Sequence, residues 1–281
     1  MKRCLVTAIV VVSSLAPLAA DLTLTQTMTI AGGPAGATMA DKPVTMLMRI
    51  KGQKARADID ALETKITTLT DLTTKEVLLV NHAEKTAQLV SAAPPAAGAP
   101  AMPHVNVDIT FTPTGQTREI EGIQCAEHAV KMSAALAQMV ASQTGTEGQP
   151  QLPKEAAEML KDVRMVMQGS VWVSSSAPGA SEYLAFQKAA AAANLAGALG
   201  GVFGGRQSPG GIDRLLAAVT EAPGLPYLTE MTMAVEGSGP FVEMMKGTIG
   251  GMKMTHKTTA VSTDPLADDL FTGPADYTIK K

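Results

Sequence analysis

Apolar and polar residues alternate over "LTLTQTMTI", broken only by Gln26, with Leu22, Leu24, Met28 and Ile30 on one side and Thr23, Thr25, Thr27 and Thr29 on the other. A period of two predicts a half-buried antiparallel strand. The rhythm returns in "VTMLMRIKG", "KARADID", "TKITTLTDL", "EVLLVN" and "TAQLV". The breaks between these segments are short and polar, as in hairpins joined in sequence order. "SAAPPAAGAPAMP" interrupts the series and is read as a loop, because proline offers no ladder donor. Strand patterning resumes in "HVNVDITFTPTG", "TREIEG" and "IQCAEHAVKMS".

Between residues 134 and 162 the apolar spacing becomes helical, in "SAALAQMVAS" and "PKEAAEMLKDV", with Pro153 suited to a first turn. "RMVMQGSVWVS" is again a strand. The Ala-rich "SEYLAFQKAAAAANLAGALGGVFGG" and the amphipathic "GIDRLLAAVTEA" predict a second helical insert near residues 181–222. Two late strands, "YLTEMTMAVEG" and "GMKMTHKTTAVS", precede the terminal "DPLADDLFTGPADYTIKK". The pattern therefore predicts a mainly β chain with helical inserts (α+β), of about a dozen strands in mostly sequential order. A sheet that wide tends to curl, and the inserts are expected to cover it. The expected architecture is one domain over residues 21–281, an open antiparallel half-barrel covered by helices.

The first twenty residues stand apart. Lys2 and Arg3 precede the apolar "LVTAIVVV", Pro17 breaks it, and Ala19 and Ala20 follow. This is the form of a secretory signal peptide with cleavage near Ala20, which predicts a periplasmic or secreted protein. Cys4 lies ahead of the apolar stretch and is lost on cleavage, so Cys125 is left without a disulfide partner and is read as a small buried hydrophobe. A net charge of -3 gives no basic patch of the kind that binds nucleic acid.

Several segments together resemble a family of secreted bacterial proteins of unknown function thought to share the fold of the periplasmic lipoprotein carrier LolA. They are "GQKARADID", "TPTGQTREIEGIQCAEHAVKM" with Gly122 and Cys125, "GSVWVSS" around Trp172, and "DDLFTGPADYTIKK" with Phe271, Pro274 and Tyr277. The resemblance implies a LolA-like half-barrel around an apolar cavity, closed by helices, and an acyl chain of a lipid or acylated protein as the ligand. It brings no catalytic residues. The Ala/Gly insert ahead of Gly205 departs from the compact pattern of that fold.

Aromatic residues make up only 3% of the chain, whereas methionine occurs 17 times. The spacing Met-x-Met recurs at Met46/Met48, Met165/Met167, Met231/Met233 and Met252/Met254, and within a strand each pair shares a face. Methionine fills irregular space without fixing its shape, which suits either an ordinary core or a cavity for a variable apolar ligand. The candidate cavity residues are Met46, Met48, Met165, Met167, Met231 and Met233. Met252, Met254 and His256 form a second candidate, a set of soft donors that would select Cu(I), with Lys253 and Lys257 as unfavourable neighbours. His82, His104 and His128 have no ligand spacing and are read as surface or hairpin residues. Asp58 and Asp60, beside Lys54 and Arg56, are read as a solvated outer face, with Ala55, Ala57 and Ile59 inward.

No nucleophile elbow or phosphate loop is present. Cys125 and His128 have opposite strand parity and are not expected to pair. Gly197, Gly201 and Gly205 recur every four residues and would line one side of a helix, a pattern compatible with a hinged lid, membrane-surface contact or self-association. The function expected is that of an exported, non-enzymatic protein without a cofactor, binding an apolar ligand. An envelope interaction protein with a filled core and a weak Cu(I) binder remain as alternatives.

Overall fold

The structure is a computed structural model of the 281-residue chain and describes residues 21–32, 43–61, 64–91, 107–144, 158–193, 195 and 224–280. The signal-like segment, most of the second helical insert with its spaced glycines, the Pro/Ala-rich loop and His104 lie outside the described residues.

Among the described residues, twelve strands form a single sheet in the order β12-β6-β5-β4-β3-β2-β1-β11-β10-β9-β8-β7. The first run is β1 (Leu22–Ala31), β2 (Val44–Lys51), β3 (Lys54–Ala61), β4 (Thr64–Asp71), β5 (Glu76–Asn81) and β6 (Thr86–Ser91). The second is β7 (Val107–Ile120), β8 (Ile123–Ala135), β9 (Arg164–Ser174), β10 (Leu225–Glu236) and β11 (Lys253–Ser262), and β12 (Thr278–Lys280) adds in parallel to β6. Each run is an antiparallel meander. They join where β1 pairs with β11, the chain's early and late strands.

The described helices lie at the two ends of the sheet. Helix α2 (Ala180–Ala192) anchors one end through Phe186 and Ala190, which pack with Leu22, Ile50, Trp172 and Leu225. These four come from strand starts and strand ends that antiparallel pairing brings to the same rim. At the other end, α1 (Leu136–Thr144) and α3 (Pro240–Ile249) pack around Val163, Val235 and Val242. Pro240 opens α3, where its missing N–H leaves no helical bond unmade.

The expected helix-covered, LolA-like α+β half-barrel is therefore not the architecture. The chain is mostly β, built on one twelve-stranded sheet. Part of the reason is local. The segment from 134 that reads as helical begins with the last residues of β8, and the helix starts only at Leu136.

The C-terminal segment binds the sheet by polar contacts. Lys51 Nζ donates to the Leu266 carbonyl at 2.6 Å and Arg56 Nη1 to the Leu270 carbonyl at 3.0 Å. The Leu266 amide donates to the Asp21 carboxylate at 2.6 Å. Beneath this strap lies an ionic group that the sequence reading treats as solvated. Asp58 accepts from Arg49 at 2.7 Å, from Arg56 Nε at 2.8 Å and from Thr67 at 2.6 Å. His82 joins Thr67 on one ring nitrogen, at 2.8 Å, to the Tyr277 hydroxyl on the other, at 3.0 Å. Ala55, Ala57 and Ile59 are buried on the other face of β3.

Candidate functional site

Strand pairing gathers the methionines. Along β1, Met28 and Ile30 alternate with threonines, and Met28 faces His256 while Ile30 faces Met254 on β11. Met254 in turn faces Met231 on β10, Met231 faces Gly169 on β9, Gly169 faces Val130 on β8, and Val130 faces Phe111 on β7. One row of direct neighbours thus crosses six strands on a single face of the sheet. Below it runs a second row of Met233, Met167, Met132 and Ile109. Above it runs a third: Met28, His256, Thr229, Val171 and His128. Across β1, Met46 faces Gln26 and Met48 faces Leu24, so the same face continues onto β2.

All six candidate cavity methionines share this face by register, though not one environment. Met231 packs with Val130, Val171 and Val173, and Met167, Met132, Met254 and Phe111 flank that cluster. Met48 leans toward the α2 rim and Met165 toward the α1/α3 rim. Met46 and Met231 are buried, whereas Met48, Met165, Met167 and Met233 are half-buried. The six are therefore spread along one face of the sheet rather than gathered into one cluster. A shallow cavity of about 540 Å³ lies on the opposite face, among Thr110, Thr112, Lys131, Gln168 and Thr232, and is not the methionine site.

Gly169 leaves a notch in the central row. A Cβ there would stand 1.8 Å from the Glu230 carbonyl, so β9 and β10 approach too closely for any side chain. His128 sits at the far end of the upper row, stacked on Phe111 with centroids 4.8 Å apart. It is buried, and its Nδ1 has no hydrogen-bond partner among the described residues. His256 is also withdrawn from solvent, and burial holds its imidazole below the ordinary histidine pKa. Met252 lies just outside β11, its carbonyl accepting from the Met233 amide at 2.8 Å.

Cys125 belongs to the α2 rim, on the opposite side of β8 from His128, and the two form no pair. Burial pushes its thiol up against a smaller opposing effect of the Arg118 charge. Among the described residues no group of three or more His, Cys, Asp and Glu is placed to hold a metal. The sequence reading missed Met28 and Met132 as members of the site. Their alternation was visible, but Met132 meets Met167 across 35 residues of sequence and Met28 meets His256 across 228.

No family model and no curated protein matches this chain. Among solved structures it is similar to an uncharacterized conserved protein from Thermus thermophilus, at 9% identity and a TM-score of 0.39 over 94% of this chain and 91% of that one.

Proposed function

We propose that this protein is an exported, non-enzymatic binder of an apolar ligand, the acyl chain of a lipid or acylated protein, held along the methionine-lined face of the sheet. The observation that supports this reading is the unbroken apolar row from Ile30 through Met254, Met231, Gly169 and Val130 to Phe111, flanked by Met167, Met132 and Met233. A row that crosses six strands spaced about 4.8 Å apart is about 24 Å long, the length scale of an extended acyl chain. Flexible thioethers can follow chains of different length and unsaturation without a fixed pocket shape.

Magnitudes restrict the ligand. About ten buried methylenes contribute roughly 8 kcal/mol. Association costs about 4–15 kcal/mol. Short chains therefore dissociate, and only long ones are retained. The test is displacement of a fluorescent long-chain fatty acid from the purified protein and from variants carrying Met167→Glu or Met233→Glu. Both positions are half-buried, so a charge there is tolerated by the fold more readily than at Met231. Loss of binding in the Glu variants with retention in Met167→Leu supports the reading. Equal binding by all of them refutes it.

A further inference from the structure

We infer that Met28, Met231, Met254 and His256 form a soft-metal site selective for Cu(I), centred over β11 at one corner of the methionine face. His256 and Met254 are alternate residues of one strand and share its face. Met28 is directly opposite His256 on β1, and Met231 is directly opposite Met254 on β10. Directly opposed residues have Cβ atoms about 4.5–5.5 Å apart and diagonal neighbours stand about 7–8 Å apart, within reach of long unbranched side chains. A point above β11 between residues 254 and 256 therefore has two donors beneath it and one on each flank. Met254 already packs against the cluster that contains Met231.

Three thioethers and one imidazole are a soft donor set, which selects Cu(I) over the harder divalent ions. The sheet also removes the objection posed by the neighbouring lysines. Lys253 and Lys257 alternate with the donors and point to the other face, where Lys257 is paired with Glu121 at 2.5 Å. Met252, adjacent in sequence, is replaced in the ligand set by Met28 and Met231, which only strand pairing brings near. His128 stands three strands from His256 in the same row, about 14 Å away, and is not a ligand.

This site shares Met231 and Met254 with the proposed acyl-chain row, but metal and fatty acid are read by different measurements, so the two readings fail separately. Methionine-to-leucine changes remove donors while preserving apolar surface, so Met28→Leu, at a donor outside the apolar row, should lose metal and keep the fatty acid. The experiment titrates Ag(I), a redox-inert stand-in for Cu(I), into the full chain labelled at its methionine methyl groups, followed by NMR. Cu(I) is then measured by competition with a chromogenic chelator. The expected result is one equivalent bound, with shifts confined to the methyl groups of Met28, Met231 and Met254 and the ring of His256. Removal of a group that merely supports a ligand costs about 10–100-fold in affinity, so Met254→Leu and His256→Leu should each weaken binding at least tenfold. Met165→Leu should leave it unchanged. Thermal unfolding in the absence of metal checks that each variant folds; if His256→Leu does not, the Met28→Leu and Met254→Leu titrations decide. Absence of one-equivalent binding, shifts at other methionines, or undiminished affinity in Met254→Leu would overturn the site.

Discussion

Replacing Asp58 by alanine should destabilise the fold by about 2–3 kcal/mol. The carboxylate accepts hydrogen bonds from Arg49, Arg56 and Thr67, and its side chain is only 14% exposed, with the two arginines at 21% and 22%. Removing one partner of a buried ion pair costs about 3–5 kcal/mol, because the remaining charge is left without compensation. Here the guanidinium groups keep about a fifth of their exposure and Arg56 retains the Leu270 carbonyl, so the cost falls to the bottom of that range or just below it, about 2–3 kcal/mol. Urea unfolding monitored by circular dichroism measures the effect. With a slope of about 2–3 kcal/mol per molar, the midpoint should fall by about 1 M. The double variant Asp58→Leu/Arg56→Leu should be less destabilised than the sum of its parts, since it leaves fewer orphaned charges. A loss below about 0.5 kcal/mol in Asp58→Ala, the range of an ordinary surface substitution, would refute the structural role assigned to this group.

Other consequences can be tested beside it. Burial raises the Asp58 carboxyl pKa, but the hydrogen bonds from Arg56, Thr67 and Arg49 and the charge of Arg56 outweigh it and hold the group below its ordinary value. Its contribution to stability is therefore complete above the unfolded value of about 3.9 and is lost as pH falls through the lower folded value; Asp58→Asn should flatten that part of the stability profile. Tyr277→Phe removes the bond that ties the C-terminal segment to His82 and should cost about 0.5–1.5 kcal/mol by urea unfolding, with faster proteolysis near the C-terminus. Gly169→Ala should lower the midpoint more than any single methionine-to-leucine change, because its Cβ would collide with the Glu230 backbone. Phe186→Ala, at a side chain 1% exposed in the α2 rim, should cost about 3–5 kcal/mol. Cys125 should resist iodoacetamide in the native protein and react on unfolding, since the thiol is buried and its pKa raised.

Strand periodicity made much of the sheet legible. The alternation at Leu22, Leu24, Met28 and Ile30 is that of β1, and the Met-x-Met pairs within strands do share faces. What periodicity could not supply was the order of strands around the sheet. Nothing local to Met28 announces that its neighbour is His256, so the sequence reading completed the soft-donor group with Met252, the nearest methionine in sequence. Helical spacing in the inserts was equally silent about position, because an amphipathic stripe says that a helix packs without saying against what. The inserts were expected over the face of a half-barrel; the helices described at Leu136–Thr144 and Ala180–Ala192 pack at the rims of the sheet. Asp58 was misread for a related reason. Its face of β3 is polar in pattern, and a polar face covered by a distant polar strap looks the same in sequence as one open to water.

Native mass spectrometry of the protein, purified from its native source without detergent or added metal, tests the central claim most directly. The account predicts a heterogeneous adduct of lipid mass that is released on denaturation and is absent from a Met167→Glu/Met233→Glu variant of unchanged fold. A bare chain mass for the native protein, or an adduct that persists in that variant, would contradict it.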